Sequence, residues 1–283
     1  MRKGLASAVI LLALVYGAQE CAVAQLQHPG EASTLHNVSA GFAHSFAWYD
    51  IPVGVAWLSH RNFPIAPGTK FSIPVPGFDY EIQRRLAGNG KPSPGSVDPH
   101  LFPRLAFASR MLYTLAADEW SDQDIDERDY QHAFVFYKAV LYTHTLTDFV
   151  KNVTARERPD NEDDRSFFSG HTSVTFVTSA FLFREIDDYL DSESWAQRSP
   201  ALKMGLKMTA AALLYGWAAY VGYSRIYDNK HFLSDVLIGA AVGTLMGNIV
   251  YNSYFSEESS IPAHISLGYI QSSPALSIIV PLN

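Results

Sequence analysis

Cysteine is almost missing from this chain: its 283 residues include one, Cys21, which falls inside the N-terminal leader. Cleavage of that leader would leave a chain without thiols, so neither disulfides nor cysteine chemistry is expected. An excess of positive charge is missing too. The formal charge of −7 becomes −8 once Arg2, Lys3 and Glu20 leave with the leader. A surface of that sign has no general attraction for nucleic acid or anionic lipid, so any anion site must be a local concentration of cations. No internal repeat is present. Apolar residues make up 48% and charged residues 17%, with a mean hydropathy near zero, which is globular and low for a polytopic membrane protein.

What is present begins with that leader. Arg2 and Lys3 precede an apolar run from about Leu5 to Tyr16, and Ala22-Val23-Ala24 supplies small residues ahead of Gln25. This order predicts a secretory signal peptide over 1–24 and a periplasmic product. The run is short for a bilayer span. An uncleaved anchor is the competing reading, and Gln19-Glu20 before Cys21 excludes a lipoprotein site.

Residues 25–100 form the next region, a loose polar leader to about 45 followed by Pro- and Gly-rich sequence with some helix. Pro64, Pro67, Pro74, Pro76, Pro92, Pro94 and Pro99 predict turns, with a short strand from Lys70 to Pro74. Residues 101–255 carry long apolar-periodic segments at 103–118, 130–153, 170–190, 200–223 and 229–252, none with an interior proline, which predict five helices. The tail, 256–283, alternates on both sides of Ser272-Ser273-Pro274 and predicts a β-hairpin. The acidic stretch Asp118–Asp129 reads as a solvated loop or helix end. The fold class expected is all-α, a helical bundle with a small C-terminal hairpin.

Three stretches carry chemistry. Lys151 and Arg158 are seven residues apart, two turns on a helix, so both cations would leave nearly one face; Pro159 disfavours helix at Arg158, so the helix is expected to fray before it and Arg158 to begin a loop. Ser169-Gly170-His171 opens the apolar run 174–183, with Ser169 as N-cap and Gly170 permitting close backbone approach to an anion. Asp228 or Asn229 is expected to cap a helix that holds His231 in its first turn, with Asp235 at i+4 accepting from one ring nitrogen and freeing the other. Arg225 precedes that turn. Short connections bring all of these to one end of a bundle. Gly239, Gly243 and Gly247 form a small-residue stripe for close helix packing. Asp160-N-E-D-D, beside this end, is expected to face solvent.

Together the stretches resemble the signature of the type 2 phosphatidic acid phosphatase superfamily, K-x6-RP, PSGH and SR-x5-H-x3-D, which also contains bacterial class A acid phosphatases and vanadium-dependent haloperoxidases. The resemblance covers about residues 100–252. Phe168 stands where the family usually has Pro. It implies an all-α core in which His231 attacks phosphorus, Asp235 orients it, and His171 protonates the leaving oxygen and then activates water. It also implies that Lys151, Arg158, Ser169, Gly170 and Arg225 hold the phosphoryl oxygens. No metal or other cofactor is expected; vanadate would occupy the same pocket as an inhibitor or, in a haloperoxidase, as the cofactor. The function expected is hydrolysis of phosphomonoesters or of lipid phosphates and pyrophosphates. A haloperoxidase and a non-catalytic anion-binding protein are the alternatives.

Residues 209–223 and 236–251 are apolar enough to enter a membrane. Lys138, His144, Asp148, Arg184, Glu185 and Asp187 on the other helices are costly in lipid unless they face protein. The balance favours a periplasmic globular protein with membrane association over a polytopic one, and substrate selectivity is expected from residues 45–100 and the 159–168 loop.

Overall fold

Small residues decide how the helices pack. The computed structural model describes residues 34–47, 49–62, 70–88, 92–120, 124–256, 264–270 and 273–279. The leader predicted over 1–24 lies outside these residues. The elements in order are α1 (Thr34–His44), α2 (Asp50–Asn62), β1 (Phe71–Ser72), α3 (Gly77–Leu86), a 3₁₀ turn (Pro94–Ser96), α4 (Leu101–Trp120) and α5 (Glu127–Val153). There follow β2 (Thr154–Ala155), α6 (Gly170–Ser192), α7 (Ser194–Gln197), α8 (Pro200–Tyr227), α9 (Leu233–Phe255), β3 (His264–Ile270) and β4 (Ser273–Ile279). The described residues are thus mainly helical, as predicted, and the five long helices fall where the periodicity put them.

The chain divides into two units. One comprises the described parts of Pro52–Leu105 and Phe136–Glu257 and holds all three signature stretches. Its centre is α6 against α9. A Cβ added at Gly239 would lie 2.7 Å from the Ser169 carbonyl, at Gly247 2.9 Å from that of Val177, and at Gly243 inside contact distance of that of Ser173. Only hydrogen on these α-carbons lets the backbones come so close. The facing stretch of α6 is correspondingly rich in small buried residues, among them Thr172, Ser173, Val177, Thr178 and Ala180. Its hydroxyls are satisfied within the helix, as in Thr178 Oγ1 to the Val174 carbonyl, or across it, as in Ser179 Oγ to the Leu214 carbonyl of α8. Phe181 closes the lower core against Tyr251 and Phe136, with ring centroids 5.2 and 5.5 Å apart.

In the other unit, the described parts of Met1–Ile51, Ala106–Val135 and Glu258–Asn283, α1 is seated on the start of α5. A Cβ on Gly41 would meet the Glu127 carbonyl and Tyr130, Asn37 Nδ2 donates to the Ile125 carbonyl, and the Phe42 ring meets that of Phe134 at 5.2 Å. Residues 34–44 are therefore helix and not the loose leader expected of 25–45; buried Asn37 and Gly41 hide their packing role behind polar or small identities. The C-terminal strands pair antiparallel, His264 with Ile279 through Ile270 with Ser273, which is the predicted hairpin. In the Pro-rich region the predicted strand reduces to Phe71–Ser72, paired parallel with Thr154–Ala155, and Gly77–Leu86 is a helix that starts after Pro76.

Gly243→Leu tests the central contact. Forcing α9 away from α6 should cost about 1–3 kcal/mol, the usual penalty for overpacking, read as a lower urea midpoint. An unchanged midpoint would mean the two backbones are not in contact there.

Candidate active site

The first stretch leaves its helix early. α5 ends at Val153, and Thr154–Ala155 is drawn into extended pairing with β1, so Arg158 lies in a loop as expected, but the helix stops five residues before it and the shared face with Lys151 is lost. They converge by another route. Lys151 lies in the last turn of α5, and its Nζ would be 3.6 Å from a Cβ on Gly170, which places the ammonium against the start of α6. Burial, and then the neighbouring charge of Arg158, lower its pKa to about 8.

Beyond Pro159 the backbone folds back on itself, with Asn161 in the left-handed region at φ 57°. Arg158 N donates to the Asp163 carbonyl and its Nε to Asp163 Oδ1 at 2.6 Å. Asp160 and Glu162 pair with Lys230, and Asp164 pairs with Lys70 at 2.7 Å. The acidic run is thus partly exposed to solvent, as expected, and is also paired with cations, because the turn carries it alongside the Lys230 turn. Arg165 gives its guanidinium to Asn152 Oδ1 and its backbone N–H to Asp163.

The second stretch is held by its neighbours. Ser169 occupies the N-cap position of α6, but its hydroxyl accepts from Thr172 Oγ1 at 2.9 Å and caps no backbone group. Its own N–H donates to the Asp235 carbonyl at 3.1 Å, which fastens the second stretch to the third. Gly170 is flanked by Thr147 and Lys151. His171, in the first turn, is held well below its usual pKa, at about 3, by burial and then by the positive charge of Arg225, His231 and Lys151.

The third stretch turns tightly. The Arg225 carbonyl accepts from Lys230 N at 2.9 Å and His231 N at 3.2 Å, and Asn229 takes a left-handed φ of 59° with its side chain held by Gln83. Arg225 Nη2 donates to Asp228 Oδ2 at 2.7 Å and to Ser96 Oγ at 2.9 Å. Asp228 also accepts from the hydroxyls of Ser93 and Ser96 and from Ser93 N, so the Pro-rich segment is tied to the guanidinium.

α9 starts later than expected. Asp228 terminates α8 instead of capping the next helix, Phe232 is the N-cap, and His231 stands before the first turn. Asp235 at N3 accepts from Phe232 N at 2.9 Å, a local cap that moves the start three or four residues on. Its Oδ2 is 3.8 Å from His231 Nδ1, close but too long for a hydrogen bond, and that Nδ1 has no partner among the described atoms. Burial depresses the His231 pKa to about 4; Asp235 opposes this, and Lys151 and Arg158 reinforce it.

Every residue of the expected set therefore gathers at one end of α5, α6, α8 and α9. A cavity of about 500 Å³ adjoins them, bordered by Tyr80, Gln83, Arg156, Arg158 and Phe232, but neither histidine lines it. Among the described residues no three His, Cys, Asp or Glu side chains converge as metal ligands would. Sequence reasoning missed Asp79, Ser93, Ser96, Arg156 and Ser166, and read Asp228 only as a helix cap. Arg156 and Asp228 sit inside the signature spacings and were open to notice. Asp79 offers only its place just after Pro76-Gly77 at a helix start.

Comparison with known proteins agrees with the geometry. The PAP2 superfamily profile matches residues 133–258. A PA-phosphatase related-family protein of Dictyostelium discoideum is 32% identical over 256 residues, covering 81% of this chain and 90% of that protein. Phospholipid phosphatase 2 of Bos taurus is 30% identical over 146 residues, 41% of this chain and 47% of that one. Lipid A 1-phosphatase of Porphyromonas gingivalis is 35% identical over 96 residues, 34% and 18%. The chain thus spans less than half the length of the last two. The protein is a phosphatase of helical-bundle type. It belongs to the PAP2 superfamily.

The depressed histidines have a consequence for stability. Both protonate at about 3 to 4 when folded, against 6.5 ordinarily. Between those values the unfolded chain binds more protons, so stability rises with pH up to about 6.5 and flattens above it. Each histidine contributes a slope of at most about 1.4 kcal/mol per pH unit. Urea unfolding at pH 5 and pH 7 should show the loss at the lower pH, and His171→Gln should lose less. An equal loss in both proteins would contradict the burial of His171.

Proposed function

We propose that this enzyme hydrolyses the phosphate ester of an amphiphilic substrate through a phosphohistidine on His231. The observation that carries the reading is the turn closed by the Arg225 carbonyl. It holds the His231 backbone against the Arg225 carbonyl, the Arg225 charge bears on His171, and the Ser169–Asp235 backbone bond draws the start of α6, with Gly170 beside Lys151, towards the start of α9. Lys151, Arg158 and Arg225, with the N–H groups at the start of α6, neutralise the three phosphoryl oxygens. At a pKa of about 8, Lys151 still carries its charge at neutral pH.

The neutral His231 ring attacks phosphorus through the nitrogen turned away from Asp235. The ring becomes cationic as the N–P bond forms, and Asp235 draws closer to its Nδ1–H. The ester oxygen leaves with a proton from His171. A bound phosphoryl dianion favours that proton, because it offsets the cations that depress His171. Water, deprotonated by His171, then cleaves the N–P bond and releases phosphate and free His231.

Two observations support an amphiphilic substrate and work at a membrane, outside the cytoplasm as the leader predicts. Large apolar side chains are exposed along α8 and α9, among them Leu213, Trp217, Leu237, Leu245 and Ile249, and α9 is long and apolar enough to cross a bilayer. The relatives named for phospholipid and lipid A phosphates extend the same chemistry to lipid headgroups.

His231→Ala should lower kcat on a phosphatidic acid micelle assay at least about 1,000-fold, and His171→Ala by about 100- to 10,000-fold. Unchanged turnover in His231→Ala would remove the proposed nucleophile. In fractionated cells the protein should sediment with membranes, and recovery wholly in the soluble fraction before any carbonate wash would contradict the membrane reading.

A further inference from the structure

Behind His231 lies a ladder of buried charge that the reaction above leaves unexplained. Arg156 Nη1 donates to Asp235 Oδ1 at 2.8 Å, and Nη2 donates to Asp79 Oδ2 at 2.8 Å and to Ser234 Oγ at 2.9 Å. Asp79 accepts further from Ser234 N at 2.9 Å and from the Ser234 hydroxyl at 2.5 Å. Asp235 Oδ2 accepts from Ser166 Oγ at 2.6 Å and from Phe232 N. Relative exposure is 0% for Asp79, 3% for Arg156 and 0% for Asp235. Phe167 and Phe232 flank the guanidinium, with ring centroids 5.8 and 5.5 Å from Cζ.

Two carboxylates thus share one guanidinium where water does not screen them, leaving one surplus negative charge. Isolated buried charge is costly, so the surplus needs a partner. The ladder has a direction. Arg156 takes the Asp235 oxygen remote from the histidine, and the other oxygen is the one 3.8 Å from Nδ1. The charged and titratable groups bearing on His231 are Lys151 from α5, Arg158 from the following loop, His171 from α6 and Asp235 from α9. Of these, Asp235 alone favours a cationic ring.

We propose that Arg156 and Asp79 are positioning residues for the nucleophile: Arg156 fixes the plane of the Asp235 carboxylate, and Asp79 draws off part of the guanidinium charge so that Asp235 keeps enough negative charge to stabilise the His231 cation. This rests on the phosphohistidine reading for its purpose, though not for its geometry. A clamp that merely pins α3 to α9 would need neither the orientation nor the surplus charge. Asp79→Asn keeps the shape and gives Arg156 wholly to Asp235. Arg156→Gln removes the cation and leaves two carboxylates facing one another. The two variants therefore move the His231 ring in opposite directions.

The experiment is ¹⁵N NMR of the histidine rings in wild type, Asp79→Asn and Arg156→Gln, with the His231 signals assigned by their loss in His231→Gln. In Arg156→Gln the ring should protonate at a pH higher by about one unit. In Asp79→Asn it should protonate at a lower pH, by about half a unit, with less of the Nδ1–H tautomer at neutral pH. Steady-state kinetics should show kcat reduced about tenfold or more in both, with KM within about twofold. Shifts in the same direction, or shifts under about 0.2 unit, would overturn the proposal. If one variant does not fold, the sign of the other decides. The ring titration does not depend on turnover, so an inert wild type would count against the phosphatase mechanism and leave this test standing.

Discussion

At Gly239 the backbone of α9 comes so near that of α6 that a single methyl group would not fit between them, and just above this point the Ser169 N–H bonds the Asp235 carbonyl. Much of the site depends on that approach. It is what sets the start of α6, with Gly170 and His171, against the start of α9, with His231 and Asp235. The glycine stripe is thus both a packing device and the means by which two stretches more than 60 residues apart in sequence become one surface. Polar satisfaction follows from the same closeness: Ser169, Thr172 and Ser173 are fully buried, and each finds its partner within the two helices or on α5.

Electrostatics is the second constraint. A chain of net charge −7 must keep cations concentrated where an anion is to bind. It does so by assigning its nearby carboxylates to fixed partners: Asp163 to Arg158, Asp228 to Arg225, Asp160 and Glu162 to Lys230. These pairs orient the cations without removing them, since Arg158 is held through Nε and Arg225 through one terminal nitrogen. Desolvation completes the arrangement by keeping both imidazoles neutral at ordinary pH.

The long helices were legible because apolar periodicity sustained over 16 or more residues is a strong signal, and the cluster was legible because three short stretches carried cations and histidines at fixed spacings. Helix ends were not. α5 was expected to fray just before Arg158, but pairing between residues 71–72 and 154–155, about 80 positions apart, ends it sooner, at Val153. His231 looked like a first-turn residue, but the Asp235 carboxylate caps Phe232 and leaves the histidine outside. Asp79 could not be found at all, because what makes it matter is Arg156 and Ser234 arriving from elsewhere in the chain. Local rules see propensity and spacing; these three cases turn on tertiary contacts that override them.

The claim on which the whole reading turns is that His231 becomes covalently phosphorylated. Rapid acid-free quenching of the wild-type enzyme with ³²P-labelled substrate, followed by peptide mapping, addresses it directly. An alkali-stable, acid-labile phosphoryl group on the peptide containing His231 is the expected result. Full turnover with no phosphorylated peptide, or a label on any other residue, would contradict it.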